Sequence, residues 1–120
     1  MKWTLACCDV MRKAVVAGTL VLAAHSPAAL AVNDDAAEAL LKAGGCLKCH
    51  SVEKTKKAPS YKKIAQKYNG KADAEATLIK HLSAKKAVKV EDGGDEEHEP
   101  PPAKDAADLK NLVQWILSRG

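Results

Sequence analysis

The stretch Gly44–Ser51 reads GGCLKCHS. Cys46 and Cys49 stand three positions apart, and His50 follows directly. Two thiols at that spacing can each add to a vinyl group of one porphyrin, and the adjacent imidazole then lies beneath its metal. C-x-x-C-H is accordingly the attachment pattern of c-type haem. Covalent attachment also holds the cofactor while the chain is unfolded, so that it can nucleate the core. Two other readings use the same atoms. A redox dithiol of the C-x-x-C kind normally opens a helix after a strand in an α/β chain, whereas a helical pattern precedes Cys46. A zinc site wants four ligands, and beyond Ala31 the chain offers Cys46, Cys49, His50, His81 and His98 alone among Cys and His. The haem reading is the one the surroundings favour.

The N-terminal end explains that count. Arg12 and Lys13 precede an apolar run from Ala14 to Ala24, and Ala29–Ala31 reads ALA, a small-residue cleavage site. The run is shorter than the ~20 apolar residues a membrane span needs. Residues 1–31 are therefore expected to be a cleavable export signal, cut near Ala31, with residues 32–120 the functional domain. The expected location is the periplasm, without stable membrane insertion. A second start at Met11 would leave a complete signal, and Cys7 and Cys8 lack the preceding apolar run that lipid attachment requires. From Val32 onward, sixteen Lys and Arg oppose fourteen Asp and Glu. That near balance excludes a nucleic-acid-binding charge pattern. The 120-residue chain has no Phe, and its aromatic residues beyond the signal are Tyr61, Tyr68 and Trp115. A domain of roughly 90 residues is marginal on surface-to-volume grounds and normally recruits a staple or a cofactor.

Helical periodicity covers most of the domain. Asp34 or Asp35 is expected to cap a helix over residues 35–45 that Gly44 and Gly45 end. SYKKIAQKYNG, Ser60–Gly70, reads as a short helix closed by Asn69 and Gly70. Asp73 opens another, with Leu78, Ile79 and Leu82 on its apolar arc and His81 on the flank. Leu109, Leu112, Val113, Ile116 and Leu117 keep the i, i+3, i+4, i+7, i+8 pattern without a miss. No segment shows convincing strand alternation. A stretch from Ala84 to Lys104 has no helical pattern, and connections of that length in a small domain are usually functional or disordered.

GGCLKCH, followed by APSYKKIAQKYNGKADAEATLIKHL and DLKNLVQWILSRG, resembles a small bacterial class I cytochrome c across nearly all of residues 34–120. The resemblance implies an all-α class I cytochrome c fold, three to four short helices wrapped around one covalently attached haem c. It implies an N-terminal helix crossing the C-terminal one. Cys46 and Cys49 would be the thioether attachments and His50 the proximal iron ligand. Pro59 matches the family's loop proline, whose carbonyl accepts the proximal imidazole N–H and fixes its orientation; Ala58 stands where the family usually has Gly. Family members usually carry a distal Met in the loop after the third helix, often followed by prolines.

That Met is absent, because Met1 and Met11 both lie in the signal. His98 stands just before Pro100–Pro102 in EDGGDEEHEPPPAK, Glu91–Lys104, where the methionine is expected. His98 is therefore the expected sixth ligand, with His81 the lesser candidate. Proline restrains its own φ and the residue before it, so that ordering this loop costs less entropy. A bis-imidazole haem has a lower potential than a His/Met one. Glu96, Glu97 and Glu99 are expected to favour the protonated imidazole and so to oppose metal binding. Lysines between Lys42 and Lys67 lie near the attachment motif while acids gather in the distal loop, a polarity suited to docking on an acidic partner face. The expected function is a monomeric, non-enzymatic, single-electron carrier between larger redox proteins. The competing reading is a haem-based ligand-binding or sensor protein with an open or displaceable distal site.

Overall fold

The computed structural model describes residues 31–120; residues 1–30, which hold nearly all of the expected export signal, lie outside them. Helix α1 spans Asp34–Ala43, and a 3-10 turn spans Cys46–Lys48. Helices α2, Tyr61–Tyr68, and α3, Ala74–Leu82, come next. Strands β1, Lys86–Lys89, and β2, Asp95–His98, precede the last helix α4, Ala106–Leu117. No described helix is long and apolar enough to cross a membrane.

The helix ends follow from local chemistry, with one change from expectation. Asn33, not Asp34 or Asp35, caps α1, its side chain accepting the Ala36 N–H at 3.0 Å. Asp34 and Asp35 occupy the first turn instead, where their charge suits the exposed N–H groups. Gly44 and Gly45 end α1 as expected, and Gly45 takes φ +65°, a left-handed conformation that turns the chain into the cysteine motif. Ser60 caps α2 by accepting from Lys63 N–H at 3.2 Å, and Asp105 caps α4 by accepting from Asp108 N–H at 2.9 Å.

Helix α4 is the centre of the packing. Leu112, Val113, Trp115 and Ile116 are buried against Ala37 and Leu41 of α1, Tyr61 of α2 and Leu78 of α3. The N- and C-terminal helices are also joined at their polar edges. Asn33 N–H donates to Asn111 Oδ1 at 2.8 Å, Asn111 Nδ2 donates to the Asn33 carbonyl at 2.9 Å, and Arg119 reaches Asp34 at 3.2 Å.

The segment after α3 departs from the sequence expectation. It folds into an antiparallel hairpin with register Lys86↔His98, Ala87↔Glu97, Val88↔Glu96 and Lys89↔Asp95. Gly93 at φ +86° makes the reversal, and Lys89 pairs with Asp95 across it at 2.8 Å. Strand alternation is legible only where one face is apolar and buried. Here both faces are largely exposed, so hydropathy carries no period of two. The fold remains mostly helical with this small two-stranded addition.

Candidate haem site

The 3-10 turn presents Cys46 and Cys49 as half-buried free thiols, with His50 directly after them. The Cys49 and His50 N–H groups both donate to the Cys46 carbonyl, at 3.2 and 2.9 Å, which curls the motif tightly. Burial pushes the Cys46 thiol pKa up, with a smaller contribution from Cys49. The loop from Ser51 to Ser60 is pinned back on the motif by Ala58 N–H to the Cys49 carbonyl at 3.0 Å and Tyr61 N–H to the Ser51 carbonyl at 2.9 Å.

That loop brings Pro59 to His50. The imidazole Nδ1 lies 2.7 Å from the Pro59 carbonyl. A carbonyl can only accept, so Nδ1 carries the proton and Nε2 keeps its lone pair free for a metal. Burial lowers the His50 pKa, with the Pro59 bond acting the other way. Tyr61 stacks on the imidazole at 5.0 Å between centroids and meets Trp115 edge-on at 5.5 Å, so the proximal ring is buttressed from the core. Sequence patterning gives no signal for Tyr61 in this role, since stacking joins residues from separate elements.

On the other side, β2 ends at His98, and the His81 ring from α3 lies 4.7 Å from it between centroids. Helical patterning sets His81 on the flank of α3, at the edge of an apolar arc that packs against α4 and the core. Ile79 and Leu82 face a cleft shared with Pro100, Pro101 and Leu109, whereas Ala74 and Leu78 are the buried residues. His81 continues the Ala74–Leu78 stripe. Its pKa is pushed down to about 4, first by burial, then by Lys86 and His98, with His50 and Lys67 adding.

The acidic neighbours of His98 act differently from the expectation. Lys57 takes Glu96 at 2.8 Å, and Lys85 takes both Glu97 and Glu99 at 2.9 Å. Burial, His50 and Lys86 together outweigh the pull of Glu99, and the His98 pKa moves down. The neutral imidazole that a metal requires is thus favoured, not opposed. The same ion pairs mean that the acidic loop is not a bare negative patch. The hairpin reaches the attachment motif directly. Glu96 lies 4.0 Å from the Cys49 sulfur, Glu91 N–H donates to the Lys57 carbonyl at 2.9 Å, and the Pro101 backbone sits against Gly44.

Among the described residues, three buried side-chain polar atoms have no hydrogen-bond partner: Trp115 Nε1, His98 Nδ1 and Thr55 Oγ1. Buried polar atoms are normally satisfied, and a buried indole N–H almost always finds an acceptor. A planar metal-bearing group with carboxylates, held by two thiols and a locked imidazole, accounts for such atoms. The residues present fit haem c.

Comparison with known proteins agrees. A family model for cytochrome c matches residues 35–120. The chain is 40% identical over 78 residues to cytochrome c-551 of Allochromatium vinosum, covering 65% of this chain and 80% of that protein. It is 37% identical over 81 residues to cytochrome c2 of Rhodocyclus tenuis, covering 67% and 88%. Among solved structures, the class 1 cytochrome MtoD of Sideroxydans lithotrophicus ES-1 superposes with a TM-score of 0.70 at 51% identity, covering 74% of this chain and 98% of that one. Cytochrome c552 of Nitrosomonas europaea gives 0.55 at 31% identity, covering 69% and 99%. The chain belongs to the cytochrome c family. It is a small class I member carrying haem c, and its function is that of a single-electron carrier working with redox partners.

Proposed function

We propose that this cytochrome holds its iron between two imidazoles, His50 on the proximal side and His98 on the distal side, with Cys46 and Cys49 as the thioether attachments. The observation that carries the distal assignment is the buried, unpartnered Nδ1 of His98, on a hairpin pinned to the attachment loop, in a chain with no Met after Met11. The Pro59 carbonyl keeps the lone pair of His50 Nε2 available, and the Tyr61 ring prevents the imidazole from turning. Haem c supplies reversible one-electron chemistry when bound. The residues around it set its potential, orient the ligands and leave the group's edge to partner proteins. Two imidazoles, both more basic than a thioether, favour the ferric state and a lower potential than His/Met ligation gives.

The carrier is exported as a chain beginning near Val32, acts in the periplasm as a monomer, and docks larger redox proteins. Lys48, Lys54, Lys63 and Lys67, which form no ion pair among the described residues, are suited to steer it onto an acidic partner face. The assignment of His98 is tested by visible and electron paramagnetic resonance spectra of the wild type beside His98→Ala and His98→Met. Loss of His98 should change the low-spin signature, and the Met variant should acquire thioether-type bands and a higher potential. Spectra identical in all three proteins would refute it.

A further inference from the structure

The distal side of the site holds a second imidazole that the carrier reading leaves without a role. His81 lies in the last turn of α3, three positions after buried Leu78, and its ring meets that of His98 at 4.7 Å with the planes tilted by 59°. The two are anchored differently. His98 is the last residue of a hairpin tied to the loop after the attachment motif by the exposed Lys57–Glu96 ion pair and by Glu91 N–H to the Lys57 carbonyl at 2.9 Å, while Lys85, just before β1, pairs across the hairpin with Glu97 and Glu99. Such surface pairs hold weakly and are screened by salt. His81 is carried by a helix whose Ala74 and Leu78 are buried, and Leu78 belongs to the same core as Trp115. A motion that lifts the hairpin removes His98 and leaves His81 where it was. The ring separation is short enough for side-chain rotation to bring His81 to the place His98 vacates.

We propose that His81 is a reserve distal ligand: when the hairpin withdraws His98, His81 takes its place on the iron. This rests on the assignment of His98 given above. The exchange breaks one iron–imidazole bond and forms another between neutral imidazoles, with no electron and no proton transferred. Its consequence is that loss of His98 does not open the site to small ligands, so that the protein remains an electron carrier while its distal strap moves.

Four haem-loaded proteins decide it: wild type, His81→Ala, His98→Ala and the double variant, each read by electron paramagnetic resonance and by cyanide binding. His98→Ala is expected to stay low-spin with a shifted signature, and the double variant to become high-spin. His81→Ala, which leaves the hairpin intact, is expected to stay low-spin yet bind cyanide faster than the wild type, because no imidazole replaces His98 when it leaves. A high-spin His98→Ala together with unchanged cyanide kinetics in His81→Ala overturns the reserve role and leaves His98 as ligand. A His98→Ala signature identical to wild type overturns both readings, and so does a low-spin double variant.

Discussion

Gly44→Ala probes the join between the two halves of the site. Gly44 has φ −80° and ψ −3°, so an alanine adopts its backbone without strain, and the substitution stabilises by restricting the unfolded chain, by about 0.4–1 kcal/mol. Space decides the sign. A Cβ at Gly44 would stand 3.1 Å from Cys46 Sγ and 3.3 Å from Pro101 Cα. One neighbour is backbone of a buried proline, and the other belongs to the attachment motif, which the 3-10 turn and its hydrogen bonds hold in place. Neither can move as a free side-chain tip would. Overpacking of this kind costs about 1–3 kcal/mol, which outweighs the entropic gain and leaves a net loss of about 1–2 kcal/mol. For a domain of this size that is a fall of roughly 5–10 °C in the thermal midpoint. The strain falls on Pro101, three residues after His98, so the distal signature should change as well. Thermal melts of the loaded protein, followed by circular dichroism and the haem absorption band, measure both. A variant as stable as the wild type, with an unaltered spectrum, would refute the tight seating of Pro101 on Gly44.

Asn111→Ala removes both hydrogen bonds between α4 and the Asn33 backbone; at about 1 kcal/mol for each, it should lower stability by about 2 kcal/mol in guanidinium unfolding. Trp115→Phe keeps the packing against Tyr61 but deletes the unpartnered Nε1–H. If that donor serves a haem carboxylate, the loaded protein should lose about 1.5–3 kcal/mol, the worth of a hydrogen bond to a charged group, with a measurable change in potential by spectroelectrochemistry. Lys85→Ala breaks two exposed ion pairs with Glu97 and Glu99. It should leave the melting midpoint within replicate scatter at ordinary salt, and a large drop would show that the hairpin clamp is stronger than surface pairs allow.

Cys46, Cys49 and His50 are legible as a haem-binding set from spacing alone, because their chemistry is local: covalent distances along the chain fix which atoms can meet one porphyrin. The apolar stripe of α4 is legible for a similar reason, since a period of 3.6 residues already states which side is buried. Pro59 also stands where the family resemblance sets it, with its carbonyl on His50 at 2.7 Å. Other features depended on neighbours distant in sequence. The hairpin from Lys86 to His98 has no period of two in its hydropathy, because little of it is covered. Tyr61 reaches His50 only through the fold of the loop between them. His81 reads as a flank residue of α3 from sequence, and only the return of the hairpin brings the His98 ring to that flank, 4.7 Å away. The carboxylates around His98 read as a protonating influence until Lys57 and Lys85 are brought to them across the fold. Covalent spacing and helical period thus determine what this chain binds and which sides of its helices are buried. Which charges cancel and which rings touch on the distal side is decided by tertiary contacts, whose partners lie too far apart in sequence for any local pattern to pair them.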